Sequence, residues 1–309
     1  MRLDEVNLAD PDIFQQGTPH EMFRVLRREA PVHWHEEPNG PGFWAITKYD
    51  DLKYVSKNPL RFSSARQGTL REDPPAQDLP AVQSIMLNMD PPQHRQYRTL
   101  VNQAFTPRMI SNLHGRIRAM VDEIIDGVIE RGACDFVEDV AARLPLAVIC
   151  EMMGVPEEDR RHIYVLGNKM VGIDDPELQS DGKPIVPGDA MAAFGEMFGY
   201  AGKLWTIAHE QPSDNIATAL VNAELEGRKL DEMEFNFFFL LLLIAGNETT
   251  RTVTSNGMIT LLDHPEQLAA LRADPRLVPS AVEEILRFAP AVHTFRRTAT
   301  AETTLRGQT

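Results

Sequence analysis

Residues 240–250 read Leu-Leu-Leu-Leu-Ile-Ala-Gly-Asn-Glu-Thr-Thr. Apolar residues on every side describe a helix buried all round. Ala245 and Gly246 then remove side-chain bulk. Glycine inside a helix costs about 1 kcal/mol relative to alanine, so such a site implies the close approach of something flat or large. Glu248 follows, and an ionisable group at the end of so apolar a run is costly unless it is used or paired. Thr249 lies four residues after Ala245 and shares its face, on the side of Leu241 and Leu242. One face thus carries apolar groups, a gap, and a hydroxyl with an acid beside it. A core helix whose polar end reaches the surface gives the same pattern.

Three further constellations surround this helix in the sequence. His94 and Arg98 sit at i and i+4 behind Asp90-Pro91-Pro92, on one helical face. Two cationic groups so placed repel unless an anion lies between them; a solvated basic face is the plain alternative. Glu284 and Arg287 form a Glu-x-x-Arg pair at i, i+3, a spacing common among surface pairs of little consequence. Arg296 and Arg297 follow Val292-His293-Thr294-Phe295, and an exposed edge strand accounts for them equally well.

Together these segments resemble the cytochrome P450 family. Ala-Gly-Asn-Glu-Thr-Thr is similar to its acid–alcohol motif. The segment Met89-Asp-Pro-Pro-Gln-His-Arg-Gln-Tyr-Arg, with Ala104-Phe-Thr-Pro after it, resembles its haem-propionate helix. Ala-Val-Glu-Glu-Ile-Leu-Arg-Phe before Ala289-Pro290 resembles its Glu-x-x-Arg helix. Gly42-Phe-Trp-Ala-Ile-Thr and Arg61-Phe-Ser-Ser look like its first sheet and the helix that follows. The resemblance implies that Ala245 and Gly246 make room for haem and O2, that Thr249 holds the water that carries protons, and that Glu248 relays them. It implies His94, Arg98 and Arg297 at the haem carboxylates, with Arg296 as the second choice for the last place, and Met86 also beside the cofactor. Leu241, Leu242, Val292 and Phe295 would line the substrate pocket, and Glu284 and Arg287 would serve folding rather than chemistry. The implied activity is a haem-thiolate monooxygenase that hydroxylates an apolar substrate such as a sterol, branched lipid or terpenoid. It would use haem b, O2 and two electrons from NAD(P)H through a separate ferredoxin or flavodoxin-type partner.

The sequence departs from the family at the iron ligand, a cysteine in the outline Phe-x-x-Gly-x-x-x-Cys-x-Gly whose thiolate favours O–O cleavage. Cys134 lies in Arg-Gly-Ala-Cys-Asp and Cys150 within a helical pattern, and both read as small core residues. The expectation is one incomplete P450 domain over residues 1–309, its C-terminal part missing, unable by itself to form a thiolate-ligated haem; no metal ligand is assigned. Two rivals stand beside the monooxygenase. One is a peroxide-driven or isomerising relative, disfavoured by the intact Glu248-Thr249 pair. The other is a non-catalytic α-helical fragment that binds an apolar ligand.

The elements that must position these residues are mainly helical. Apolar periodicity predicts helices over 12–30, 50–57, 90–105, 111–131, 144–153, 157–171, 190–210 and 231–262. Pro265 and Pro279 open two more, the latter ending at Phe288. Alternation predicts a hairpin from 32–35 and 43–47 around Asn39-Gly40-Pro41-Gly42, and a strand over 292–300. Residues 63–83 and 172–189 read as long loops that gate entry. The fold class expected is mainly α with a small N-terminal β region.

Composition excludes other classes. A formal net charge of −14 over 309 residues argues against nucleic acid and anionic lipid as partners. Two isolated cysteines make no disulfide framework and suit a reducing cytoplasm. Residues 1–12 show no signal peptide or anchor, and the most apolar run, 237–246, is too short to span a bilayer.

Overall fold

Proline and glycine set where the short N-terminal elements start and stop. The computed structural model describes residues 1–37, 40–105, 107–171 and 187–309. Asp10 caps α1 (Pro11–Gln15), its carboxylate accepting the amide of Asp12. The helix expected over 12–30 is in fact two: Gly17, at φ 112°, and Pro19 separate α1 from α2 (His20–Glu29). Strands β1 (Val32–His35) and β2 (Phe43–Ile46) pair antiparallel, Val32 opposite Ile46, as the alternation predicts. After α3 (Tyr49–Lys57), the expected loop over 63–83 is bounded by β3 (Phe62–Ser63) and α4 (Leu79–Ser84).

The helical part follows: α5 (Gln93–Ala104), α6 (Pro107–Ile129), a π-turn (Val137–Ala141), α7 (Arg143–Met153), α8 (Glu157–Val171) and α9 (Pro187–Glu210). Then come α10 (Ile216–Asn222), a small hairpin of β4 (Glu224–Leu225) and β5 (Arg228–Lys229), α11 (Glu232–Asp263), α12 (Pro265–Ala273), α13 (Val278–Phe288) and β6 (Thr298–Ala299). Asp90 does not cap α5 with its side chain. It accepts instead from the Ser63 hydroxyl and, at 2.8 Å, from the Ser64 amide. The strand expected over 292–300 is reduced to β6, which pairs with β3. The loop expected at 172–189 lies, as far as residue 186, outside the described residues, as do Asn39 and Thr106.

The chain divides into two compact units, residues 1–94 with 269–309, and 95–268. In the first, Leu8, Met22, Leu26 and Ala45 form a buried cluster flanked by Phe14, Phe23 and Phe43. His35 ties it together: its Nε2 accepts the Leu8 amide at 2.7 Å, which leaves Nδ1 to donate to the Glu36 carbonyl.

In the second unit α11 is the axis. Asp231 and Glu234 close a reciprocal capping box at its start. Phe235, Phe239, Leu240 and Leu243 are buried almost completely. The facing side of α9 offers Ala193, Met197, Ala201 and Leu204, also buried. Small side chains there admit the rings of α11: Trp205 lies 5.3 Å from Phe235, and Phe198 5.3 Å from Phe237 in an edge-on contact. Each large ring sealed in this way contributes a few kcal/mol.

Candidate active site

Halfway along α11 the all-round burial ends. Leu243 and Asn247 remain buried on one side, whereas Ala245 is exposed and Leu241, Leu242 and Thr249 are half-buried. The spacing i, i+4, i+8 stacks Leu241, Ala245 and Thr249 in one row. Gly246 points elsewhere. A Cβ placed on it would come 2.6 Å from Cδ1 of Ile149, so its missing side chain lets α7 approach α11. The gap on the open face belongs to Ala245.

Thr249 donates its hydroxyl to the Ala245 carbonyl at 2.6 Å. Thr250, Thr254, Ser255 and Thr260 make the same i−4 bond along α11, so the bond itself is ordinary helix behaviour. What sets Thr249 apart is its place in the open row. Glu248 is engaged rather than loose. One carboxylate oxygen accepts from Arg251 and the other from the Asn247 amide at 3.2 Å.

The start of α11 is locked by a second network. The Tyr97 hydroxyl of α5 and the Arg228 guanidinium of β5 both donate to Glu234. The guanidinium carbon lies 4.8 Å from the Tyr97 ring centre. Burial and the Glu234 carboxylate push the Tyr97 phenol up to about 12. Spacing within α5 gives no hint of these partners, because they lie 131 and 137 residues away. The network fixes α5 against the N-terminal end of α11. Along α5, His94 is half-buried and Arg98 exposed, and neither makes a salt bridge among the described residues.

In the first unit the two adjacent arginines differ. Arg296 donates to the carbonyls of Arg71, at 2.8 Å, and Gln67, and pairs with Asp73. Its own amide donates to the Thr69 carbonyl. It is committed to holding the 67–73 segment. Arg297 is half-buried, and among the described residues its side chain donates only to the Arg296 carbonyl, at 2.7 Å. Burial lowers its pKa, against the opposing pull of Asp90. A sheltered cation with no carboxylate in salt-bridge range, among the described residues, can still receive an anion. Met86 is half-buried, while Val292 and Phe295 are exposed. Glu284 and Arg287 make a two-pronged pair at 2.7 Å on the exposed side of α13.

Each unit by itself offers groups that suit a flat, apolar, doubly carboxylated macrocycle: in the second, the open row ending at Ala245 and Thr249 and the exposed Arg98; in the first, the half-buried His94 and Arg297. Neither cysteine lies on α11 or its open row. Cys150 is buried in α7 and its thiol is pushed up to about 12 by burial, so it stays protonated at neutral pH. Cys134, expected from the sequence to be a small core residue, is instead exposed in the segment between α6 and the π-turn, where no packed element covers it.

Comparison with known proteins identifies the family and the fold. The cytochrome P450 family model matches residues 190–309. A steroid C26-monooxygenase of Rhodococcus jostii is 36% identical over 97% of this chain and 64% of its own length. The steroid C26-monooxygenase of Mycobacterium tuberculosis is 35% identical, with 97% of this chain and 70% of that enzyme covered. Linalool 8-monooxygenase of Pseudomonas putida is 33% identical, with 99% and 76% covered. The solved structure of a Mycobacterium marinum cytochrome P450 in complex with pseudoionone superposes with a TM-score of 0.85 at 36% identity, over 100% of this chain and 76% of that one. The present chain thus spans about two thirds to three quarters of the length of these relatives. Identity at this level over nearly every residue, on the same helical fold, establishes that the chain belongs to the cytochrome P450 family.

Proposed function

We propose that this chain carries the oxygen-side machinery of a haem-dependent monooxygenase that hydroxylates an apolar substrate. The observation that carries the reading is the row Leu241–Ala245–Thr249, an open face that begins where the all-round burial of α11 ends, with an acid at its edge. Haem b, when bound, supplies the oxygen-activating chemistry, which is a property of the cofactor. The chain's own part is to bind, orient and supply protons. Arg297, His94 and Arg98 hold the two carboxylates, through charge-assisted hydrogen bonds that are among the stronger ones available. Ala245 leaves space that a larger side chain would fill. Leu241 and Leu242 keep that space dry, which strengthens every electrostatic interaction within it. Thr249 holds water at the row's end, and Glu248 takes up and releases the proton.

Both compact units belong to one P450 domain in this reading. Met86 lies beside the cofactor, Val292 and Phe295 touch substrate, and Glu284 with Arg287 supports the fold. Electrons come from NAD(P)H through a ferredoxin or flavodoxin-type partner, and the setting is the cytoplasm. Relatives named for steroid C26 and linalool C8 oxidation, together with the aliphatic row, favour sterols, branched lipids or terpenoids as substrates. The test is a screen of the intact protein for substrate-induced changes in its haem absorption spectrum. Saturable shifts with sterols or terpenoids, and none with polar compounds of similar size, are expected. The reverse preference would refute the substrate class.

A further inference from the structure

Residues 289–297, between α13 and β6, have no regular structure of their own. Pro290 has no amide proton to give. Among the described residues, no backbone amide from 290 to 295 donates to a backbone carbonyl. Side chains therefore decide where Val292 and Phe295 stand. Arg296 fixes the far end of the segment through its bonds to the carbonyls of Arg71 and Gln67. His293 fixes the middle. It is half-buried, whereas Val292, Thr294 and Phe295 around it are exposed.

The partners of His293 come from the opposite end of the chain. The Thr18 hydroxyl, between α1 and α2, lies 3.2 Å from its Nε2 and shares one hydrogen bond with it. Phe14 of α1 meets the imidazole edge-on, with ring centres 5.0 Å apart. His20, at the start of α2, stacks on Phe288 at 4.6 Å, where α13 ends. Arg71, in the segment that Arg296 holds, donates to the Ala9 carbonyl at 3.0 Å. Residues 9–20 thus clasp the 288–293 stretch and also hold the segment that anchors Arg296. Burial and nearby His20 lower the His293 pKa, so the ring is neutral at pH 7 and packs on Phe14 as an aromatic surface. The buried cluster around Leu8 and Leu26 draws, among the described residues, on positions 3–45 alone. The clasp is an arm reaching out from that core, not a part of its filling. A hydroxyl–imidazole bond is also directional. It fixes the rotation of the ring and with it the backbone at 293.

We propose that His293 is a positioning residue for substrate selection: clasped by Thr18 and Phe14, it sets where Val292 and Phe295 stand, so that the N-terminal segment tunes which apolar substrates fit. The inference rests on the reading of Val292 and Phe295 as substrate contacts and adds the residues that place them.

The experiment uses the intact, haem-loaded protein, with linalool, pseudoionone and cholesterol as probes, each read by its shift of the haem spectrum. A parent that gives no saturable shift with any of them would refute the substrate class, and this inference with it. Val292→Ala and Phe295→Ala come next. Parental dissociation constants in both would refute the substrate contacts on which the inference rests. With those contacts upheld, Thr18→Val keeps the side-chain volume and removes the hydroxyl. It is expected to raise the dissociation constant of the tightest probe about fivefold, the scale of one lost neutral hydrogen bond. His293→Ala does at least as much, and Thr18→Val adds nothing further in that background. Thr18→Ser restores parental binding, a rescue that follows the hydroxyl and not the methyl group. His293→Leu, which keeps the bulk without the hydrogen bond, takes the place of His293→Ala if the latter does not fold. Folded Thr18→Val and His293 variants that melt at lower temperature but keep parental dissociation constants would make the clasp a purely structural one and overturn the proposal.

Discussion

Replacing Gly246 by alanine separates the two sides of α11. The added Cβ would stand 2.6 Å from Cδ1 and 3.3 Å from Cγ1 of Ile149, a residue 5% exposed and held in α7. The substitution gains about 1 kcal/mol of helix propensity. Overpacking of a filled core costs about 2 kcal/mol. The net expectation is a loss of about 1 kcal/mol. Ile149→Val removes the nearer atom, at a cost of about 1 kcal/mol for the lost methylene. In the double variant the clash is gone and the propensity gain remains. Its stability should therefore exceed the sum of the single effects by about 2 kcal/mol, well beyond the scatter of additive pairs. Urea unfolding of the intact protein, read as a four-corner cycle, measures this. Additivity within about 0.5 kcal/mol would refute the claim that Gly246 serves the α7 contact. Ala245→Leu gives the contrasting signature. It lies on the open row, so stability should hardly change while cofactor uptake or substrate binding falls.

Other consequences follow from the same geometry. Arg296→Ala should lower the melting temperature by releasing the 67–73 segment, whereas Arg297→Ala should leave melting of the cofactor-free protein nearly unchanged and weaken haem retention. Equal losses of stability in the two would contradict their assignment. Tyr97 carries a raised pKa, ordinary value 10 and about 12 in the folded state. The unfolded chain therefore releases this proton first as pH rises. The stability it supports is complete below pH 10 and is lost through pH 12. Tyr97→Phe should flatten that alkaline decline in a urea-unfolding series, and an unchanged slope would count against the Glu234 network.

Much of this was readable from residue order because the signals are local. The start of α11 shows in Asp231 and Glu234, three apart, and its burial in an unbroken apolar run. The β1–β2 pair shows in alternation. Where reading failed, the deciding partner was distant or the signal atypical. Gly17 and Pro19 broke a helix whose apolar periodicity ran through them. The β4–β5 hairpin turns on Glu226 and Gly227, both at positive φ, and glutamate there gives little warning. Asn215 caps α10 through the Thr218 amide, yet the helix is too short to show a period. The side of α11 that Gly246 faces could not be read at all, since Ile149 lies nearly a hundred residues earlier. The same holds for the arginines: only the fold shows Arg296 spent on carbonyls of the 67–73 segment and Arg297 left with capacity for an anion.

The central claim is that the open row of α11 manages protons for oxygen chemistry, and Thr249 is its most exposed commitment. The direct measurement is product formed per NAD(P)H consumed by the intact Thr249→Ala protein with a substrate found by the spectral screen. Loss of the hydroxyl removes the water's anchor without filling the row. NAD(P)H consumption should continue while product per NAD(P)H falls about tenfold or more, on the scale of general acid catalysis. A parental ratio in a folded, haem-loaded Thr249→Ala protein would contradict the account.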